Sequence, residues 1–262
     1  MSVSEHGVSA APERGTRIRL VASWLGRVPY LEGWRLQDAV ASRVRSGDDE
    51  RLLLLEHDPV YTIGKRGTVD NLLVDLADLR ALGASVYRVD RGGDITYHGP
   101  GQLVGYPIVR LGDRPDLVRY VRGLEAALIS VLDGYGIAAR TEKGKTGVWV
   151  DLPDRRPAKI AAIGVRVSRG VTTHGFALNV ATDLAAFTRM VPCGFMHEVA
   201  SLARLGVEAD VHDVATRVVD SLAREIGRSP RWGSTPPANE GEIPEDAASR
   251  NAEDLTRATL AA

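Results

Sequence analysis

Two long stretches of the chain repeat apolar residues with the 3.6-residue period of an amphipathic helix. The first follows Pro115 and ends at Gly134, and the second covers residues 211–226, between Asp210 and Gly227. Proline is favoured in the first turn of a helix, aspartate caps helix N-termini, and glycine follows helix C-termini. The pattern therefore predicts two helices that each bury one face.

Shorter apolar runs predict strands. Residues 52–55 are all leucine, which is typical of a buried strand. Residues 159–180, KIAAIGVRVSRGVTTHGFALNV, predict a hairpin with its turn at SRG. Further strands are predicted from residue 17, at 86–90 and at 147–151, and shorter helices at 34–45, 71–82, 183–189 and 198–205. Because the elements do not alternate strictly, we expect an α+β fold with a mixed, largely antiparallel central sheet flanked by helices.

The two ends of the chain lack this periodicity. Residues 1–16 are small and polar, and residues from 229 onward are rich in Pro, Glu and Ala. Such segments bury too little apolar surface to offset the entropy of ordering. We predict a disordered N-terminal tail over 1–16, a folded domain over 17–228 and a disordered C-terminal tail over 229–262.

Composition narrows the classes of function. The 262-residue chain has a net charge of −1, which gives no indication of nucleic-acid binding. No apolar run approaches the ~18 residues of a membrane span. A single cysteine and the lack of a recognisable signal peptide predict a cytoplasmic protein.

The central stretch of the chain is RGGDITYHGPGQLVGYP, residues 91–107. ITY and QLVGYPIV have the composition of strands, and the HGPG segment between them predicts a tight loop that carries His98. Glycines allow the backbone to adopt positive φ or to approach a ligand closely. A plain β-hairpin with a bulge and a solvent-facing His98 fits the composition equally well.

Cys193, in VPCGF, is the candidate nucleophile. A thiol becomes nucleophilic as the thiolate and needs a cation or base beside it, for which Lys159, His98, His174 and His197 are candidates. The plainer interpretations are a buried thiol, an edge-strand lysine and structural histidines. The sequence has no paired C-x-x-C, no H-E-x-x-H and no P-loop, so it supports neither a metal nor a nucleotide site.

In order along the chain, RGGDITYHGPGQLVGYP, AKIAAIGVR, THGFALNV and PCG resemble the octanoyltransferases of lipoate biosynthesis, also called lipoate-protein ligase B. The resemblance covers about residues 18–227. It implies a catalytic domain folded like biotin and lipoate protein ligases. It also implies transfer of an octanoyl group from octanoyl-acyl-carrier protein, without a cofactor, to a lysine of a lipoyl domain. The implied acceptors are 2-oxoacid dehydrogenase E2 subunits and the glycine cleavage H protein.

The resemblance also implies roles for individual residues. Cys193 would carry the acyl group as a thioester, with Lys159 as its partner. The implied acyl-pocket positions are Arg91, Gly92, Gly93, Asp94, Ile95, Thr96, Tyr97, His98, Ala162, Ile163, Gly164, Gly175, Phe176 and Ala177. Leu103 is a further candidate for the apolar wall.

Three other functions compete with this one. An ATP-dependent lipoate or biotin ligase would need no cysteine nucleophile, so the PCG cysteine and the HGPGQ loop count against it. A Cys-His hydrolase that uses Cys193 with His174 or His98 would hydrolyse thioesters without an acceptor. A non-enzymatic module that binds lipoyl domains or carrier protein would not need Cys193 and Lys159.

Overall fold

The computed structural model describes residues 18–191 and 198–234. Its strands in chain order are β1 (Arg19–Val28), β2 (Glu50–His57), β3 (Val60–Ile63), β4 (Ser85–Arg88), β5 (Ile95–His98), β6 (Gln102–Ile108), β7 (Ala139–Glu142), β8 (Lys145–Asp151), β9 (Pro157–Ser168), β10 (Val171–Asn179), β11 (Glu198–Val199) and β12 (Ser229–Trp232). The helices are α1 (Tyr30–Arg45), α2 (Leu76–Ala81), α3 (Leu117–Asp133) and α4 (Val211–Glu225), with 3₁₀ turns at Val69–Asn71, Leu184–Arg189 and Ala203–Leu205.

The strands form two sheets. The large sheet has nine strands, in the order β12-β1-β2-β6-β10-β9-β8-β7 with β11 paired to β9. Its pairs are antiparallel except that β1 is parallel to β12 and β2, and β11 is parallel to β9. The small sheet has three strands in the order β4-β3-β5. The predicted α+β class, with a mixed and largely antiparallel sheet, is confirmed.

The leucine run in β2 explains how helices cover both faces of the large sheet. Side chains along a strand point alternately to opposite faces. Leu52 and Leu54 pack into the core cluster that contains residues of α3 and α4, whereas Leu53 and Leu55 pack into the cluster that contains residues of α1. A strand in the middle layer of three must be apolar on both faces, so the run of leucines is required.

α4 begins where the sequence predicts, whereas α3 begins two residues after Pro115, which precedes the cap and is not in the first turn. The Asp116 carboxylate accepts a hydrogen bond from the Arg119 N–H (2.9 Å) at the start of α3. The Asp210 carboxylate accepts from the His212 N–H (2.8 Å) at the start of α4. Each cap satisfies backbone donors that have no partner within the helix. Among the described residues, no helix combines the length and apolar character needed to cross a membrane.

The HGPG loop joins two strands that do not pair with each other. β5 pairs with β3 in the small sheet, whereas β6 lies between β2 and β10 in the large sheet. His98, at the end of β5, is buried. The simple hairpin interpretation, with a solvent-facing His98, is therefore wrong, and the loop is the crossing point between the two sheets.

Long-range hydrogen bonds shorten one predicted helix. The predicted helix over 71–82 is reduced to α2, which begins after Asp75. Before it, the Asn71 carbonyl accepts from the Val191 N–H (2.8 Å), and the Leu73 N–H donates to the Arg189 carbonyl (2.9 Å). Because these distant partners take the groups that a helix would use, the segment stays irregular.

Long-range backbone hydrogen bonds also replace most of the predicted helix over 198–205. Its first residues form β11 beside β9, and the Ala200 N–H donates to the Lys159 carbonyl (2.9 Å). Only a 3₁₀ turn remains at Ala203–Leu205.

The predicted domain boundary at residue 228 requires a correction. Residues Ser229–Trp232 form β12, an edge strand parallel to β1, and the Ser23 hydroxyl donates to the Ser234 carbonyl (3.1 Å). An edge strand tolerates the Pro230 within it because one side of the strand needs no donor. The rest of the predicted tail lies outside the described residues.

We therefore predict that residues 229–234 contribute to the stability of the fold and that the residues after 234 do not. A chain ending at residue 234 should match the full chain in its free energy of unfolding. A chain ending at residue 228 should lose about 1–3 kcal/mol, because several backbone hydrogen bonds of ~1 kcal/mol net are only partly offset by regained entropy. Urea unfolding measures the difference, and equal stability of the two shortened chains would contradict the prediction.

Candidate active site

A cavity of about 870 Å³ lies on the face of the large sheet that carries α1. Its wall includes residues from β5, β6, β8, β9 and β10, together with Met190 and Val199. The volume is at the upper part of the range for small-molecule sites, ~300–1,000 Å³. Arg66, Arg91, Lys143, Lys145 and Lys159 line it, whereas Asp94 is the one carboxylate residue among the described residues of the wall. The cavity is therefore electropositive, in a chain whose net charge is −1.

A β-bulge in β9 lies beside the cavity. Val148 of β8 pairs with Ala161, but Trp149 pairs with Lys159, so Ile160 is an extra residue in β9. Ile160 and Ala161 both pack in the core beneath α3 and α4. A bulge shifts the alternation of side chains by one residue. Lys159 before the bulge lines the cavity together with residues 161–164 after it.

Lys159 is partly buried in this wall. Its Nζ lies 4.8 Å from the centroid of the Trp149 ring. Its backbone carbonyl accepts from Ala200, just after the segment 192–197.

His174 faces the cavity because the backbone of β10 departs from regular strand geometry. Its φ of 56° lies in the left-handed region, which costs a non-glycine residue roughly 1–2 kcal/mol. The Gln37 amide oxygen accepts from the His174 N–H (2.7 Å), and the Asp90 carboxylate lies 2.8 Å from Nε2. These two partners hold the conformation.

A buried chain of hydrogen bonds runs beneath the cavity. The Gln102 amide donates to the Asn179 oxygen (2.9 Å), and the Asn179 amide donates to the Ala200 carbonyl (2.9 Å). The Gln102 oxygen, 2.8 Å from Nδ1 of His98, must therefore accept from an Nδ1–H. His98 is thus the Nδ1–H tautomer, and its Nε2 is a hydrogen-bond acceptor.

Burial keeps the three histidines around the cavity neutral. It lowers the pKa of His57 to about 4, and burial with the charges of His57 and Arg91 lowers the pKa of His98 to about 3. Burial also lowers the pKa of His174, against the attraction of the Asp90 carboxylate. His57 lies behind the wall, where its Nδ1–H donates to the Val28 carbonyl (2.7 Å) and Nε2 accepts from the Tyr106 hydroxyl (2.6 Å).

The structure brings most of the predicted site residues to one cavity. Those that line it are Lys159, Arg91, Gly93, Asp94, Ile95, Thr96, His98, Ala162, Ile163, Gly164, Gly175, Phe176 and Ala177. Gly92 lies behind the wall and donates its N–H to the Val165 carbonyl (3.0 Å), and Tyr97 packs against Tyr61 in the small sheet. Cys193 and His197 lie outside the described residues.

Leu103 is not part of the wall. It is fully buried in the core beneath α3 and α4, because it alternates with the cavity residues Gln102 and Val104 along β6.

Sequence reasoning missed several residues of the wall. Gln102 and Asn179 belong to the HGPGQ and FALNV motifs, but no role was inferred for them. Trp149 and Tyr30 also line the cavity. The sequence predicted a strand at 147–151, but a pattern along one strand cannot identify which cation lies over the ring of Trp149.

Comparisons with known proteins agree on one family. The family model described as "Lipoyl protein ligase A/B catalytic domain" matches residues 29–223. A protein named octanoyltransferase from Solibacter usitatus is 48% identical over 202 residues, which cover 76% of this chain and 90% of that protein. One of the same name from Mycolicibacterium smegmatis is 47% identical over 210 residues, covering 79% and 89%. A bipartite lipoate protein ligase from Thermoplasma acidophilum shares the fold, with a TM-score of 0.70, 18% identity and coverage of 93% and 92%.

The buried histidines predict a loss of stability in acid. A histidine in the unfolded chain takes up a proton below pH ~6.5, whereas His57 in the folded protein does so only near pH 4. Between these values the unfolded state binds more protons than the folded state, so the free energy of unfolding falls as the pH falls. Asp38, whose pKa burial raises to about 6, acts in the opposite sense. Replacing His57 should therefore isolate its contribution to the dependence of the unfolding free energy on pH.

We expect His57→Gln to reduce the slope of unfolding free energy against pH by about 1.1 kcal/mol per pH unit between pH 4.5 and 6. Urea unfolding at a series of pH values measures it, with the exposed His212→Gln as the control. A slope in His57→Gln equal to that of the wild type would show that His57 is not held neutral.

Proposed function

The chain belongs to the lipoyl protein ligase A/B family and is an octanoyltransferase of protein lipoylation, and we propose that it forms its acyl-enzyme on Cys193 with Lys159 as the partner of the thiol. The observation that carries the proposal is the position of Lys159. Its ammonium lies in the cavity whose wall also includes the glycine-rich stretch around Gly93 and the β10 residues around Gly175. Met190 and Val199, on either side of segment 192–197, line the same cavity.

The first step exchanges one thioester for another. The Lys159 ammonium stabilises Cys193 as the thiolate, after the thiol proton has passed to Lys159 or to solvent, and the thiolate attacks the carbonyl carbon of the octanoyl donor. Collapse of the tetrahedral intermediate breaks the C–S bond of the donor, whose thiolate recovers the proton from the Lys159 ammonium. The step is nearly balanced in energy, so catalysis consists of stabilising the oxyanion, for which backbone N–H groups of the glycine-rich loop are suitable donors.

The second step transfers the octanoyl group to nitrogen. The neutral amine of the acceptor lysine attacks the carbonyl carbon of the acyl-enzyme, and the C–S bond to Cys193 breaks. Lys159, left neutral by the first step, takes the proton that the amine nitrogen must lose. The product is an amide, and the ion pair of Lys159 and Cys193 is restored.

Apolar groups of the cavity offer a place for the acyl chain. Ile95, Ile163 and Phe176 line it together with Ala162 and Ala177. Each CH₂ group that enters an apolar site contributes ~0.8 kcal/mol, so the depth of the site can select chain length.

The donor we propose is octanoyl-acyl-carrier protein, and the acceptors are the lipoyl domains of 2-oxoacid dehydrogenase E2 subunits and the glycine cleavage H protein. The exposed cations Arg66 and Lys143 on the cavity wall support an anionic partner. The single carboxylate of the described wall, Asp94, already accepts from Asn71 and from the Ile95 N–H. A carrier protein presents a phosphodiester on the arm that bears the thioester, which these cations would attract.

The rival hydrolase would use His98 or His174 as the base. The Nδ1–H of His98 is bound to Gln102, and Nε2 of His174 is bound to Asp90, so each histidine has one ring nitrogen occupied and one left to accept a proton. The two functions differ in outcome, because the hydrolase would cleave the thioester without an acceptor.

Intact-mass analysis tests the acyl-enzyme. Mixing the protein with octanoyl-acyl-carrier protein should add one octanoyl group, and peptide mapping should locate it on Cys193. Cys193→Ala should gain no mass and should transfer no octanoyl group to a lipoyl domain. Transfer by Cys193→Ala at a substantial rate would favour direct attack by the acceptor amine.

Following the two steps separately tests Lys159. Lys159→Arg keeps a positive charge but cannot accept a proton near neutral pH, so acylation should proceed while discharge to the lipoyl domain slows by about 10²- to 10⁴-fold. Lys159→Ala should slow both steps. Wild-type rates for both steps in Lys159→Ala would exclude the pair.

Reversing the charge of Arg66 or Lys143, the two cations at the exposed rim of the cavity, tests whether the donor is the anionic carrier protein. Lys143→Glu and Arg66→Glu should each raise KM for octanoyl-acyl-carrier protein by about 3- to 10-fold at low salt, and added salt should reduce the difference. KM for octanoyl-pantetheine, which lacks the phosphate, should not change. Arg119→Glu, on an exposed turn of α3 away from the wall, is the control. Equal increases for both donors would mean that the rim does not contact the anionic carrier.

A further inference from the structure

Trp149 holds an unusual position between two lysines. The Nζ of Lys159 lies 4.8 Å from its ring centroid, and the Nζ of Lys145 lies 5.3 Å from it. The indole is 1% exposed although it lines the cavity. An ammonium within ~6 Å of an indole ring is attracted by the negative face of the ring, and more strongly where water is excluded.

The backbone around Trp149 is arranged so that the indole can reach this position. The indole N–H donates to the Lys145 carbonyl (3.3 Å), so the ring is directed back along β8 past Gly147. Gly147 has a φ of 121°, and a Cβ there would lie 2.5 Å from the Ala161 carbonyl and 3.4 Å from Cε of Lys159. A side chain at residue 147 would therefore occupy the space beside the aliphatic part of Lys159.

A buried carboxylate maintains this backbone. Glu125 of α3 is fully buried, accepts from the Gly147 N–H (2.9 Å) and pairs with Arg122 (2.5 Å). Since the bulge in β9 interrupts the regular ladder next to Gly147, this contact supplies the Gly147 N–H with a partner. The position of the indole is therefore determined by packing from both faces of the sheet.

We propose that Trp149 is a positioning residue that holds the Lys159 ammonium over its ring and favours the charged form of that group. The inference rests on the proposed role of Lys159 in octanoyl transfer. The ring supplies negative potential without being a base, so it stabilises the ammonium that accompanies the Cys193 thiolate and takes no proton itself. It also limits the positions that the long lysine side chain can adopt.

Other charged or titratable groups also face this cavity and affect the titration of Lys159. They are Lys143 from the β7–β8 turn, Lys145 at the start of β8, Arg66 after β3, Arg91 and Asp94 before β5, His98 at the end of β5 and His174 in β10, together with the phenols of Tyr30 and Tyr106. Lys145 contacts the same ring as Lys159, so its charge opposes that of Lys159. The variants below leave all of these groups in place except where Lys145 itself is changed.

The titration of Lys159 tests the proposal without any substrate. Protein labelled with ¹³Cε-lysine gives one signal per lysine, and Lys159→Arg identifies the relevant signal. In Trp149→Leu the titration midpoint of Lys159 should fall by about 0.4 to 1.5 pH units, because the partly buried ammonium loses the ring that favours it. In Trp149→Phe, which keeps a weaker aromatic face, the midpoint should fall by less. Lys145→Gln should raise it.

The rate of octanoyl transfer provides the second measurement. The pH profile of kcat should shift in the same direction and order, with Phe between Trp and Leu, while KM for the donor changes little. Trp24→Leu, far from the cavity beside His212, controls for the loss of an indole. If Trp149→Leu does not fold, the comparison of wild type with Trp149→Phe still decides the question.

An unchanged Lys159 midpoint in a folded Trp149 variant would overturn the proposal, as would a pH profile that stays in place while the rate falls uniformly. Failure of the proposed function would be recognised by a different result, namely octanoyl transfer by Lys159→Ala at the wild-type rate. That result would leave the measured midpoints unaffected, so the two failures are distinguishable.

Discussion

The close approach of residues 91–93 to β9 is the contact on which the rest of the site depends. The Gly92 N–H donates to the Val165 carbonyl (3.0 Å), and a Cβ on Gly164 would lie 2.8 Å from the Gly92 carbonyl. Only residues without side chains allow two backbones to pack this closely. The Arg91 guanidinium, bound to the Thr62 carbonyl (2.6 Å), ties this contact to the small sheet. The small sheet is thereby held against the large one, with the cavity between them.

Buried polar groups make the surroundings of this cavity specific. His98, Gln102 and Asn179 are all buried, and each finds a side-chain or backbone partner in the same chain of hydrogen bonds. An unpaired polar group in such a place would cost ~1–3 kcal/mol, so the network permits few arrangements of the strands. It links the HGPG loop to Ala200, and the Ala200 N–H in turn contacts the backbone of Lys159. The network thus connects strands of the cavity wall that are far apart in sequence.

The chemistry follows from combining apolar walls with excess positive charge. Apolar side chains such as Ile95 and Phe176 suit an acyl chain, whereas Lys159 and the cations at the rim suit the anionic groups that accompany acyl transfer. Neutral histidines leave the cations as the dominant charges near neutral pH. In a partly dehydrated cavity the attraction between Lys159 and a thiolate is stronger than in water. These charges support our proposal that a lysine, rather than a histidine, is the partner of the thiol.

The sequence by itself determined the elements whose causes are local. The helical periods with Pro115 and Asp210 at their starts predicted α3 and α4, the leucine run predicted a buried strand, and the ordered motifs predicted the family. The tertiary structure alone decided the bulge beside Lys159, the left-handed backbone of His174, the pairing of β11 and the addition of β12. Each of these depends on hydrogen bonds or packing with residues far away in sequence. No pattern along a single segment contains that information, because the competing partner lies on another strand.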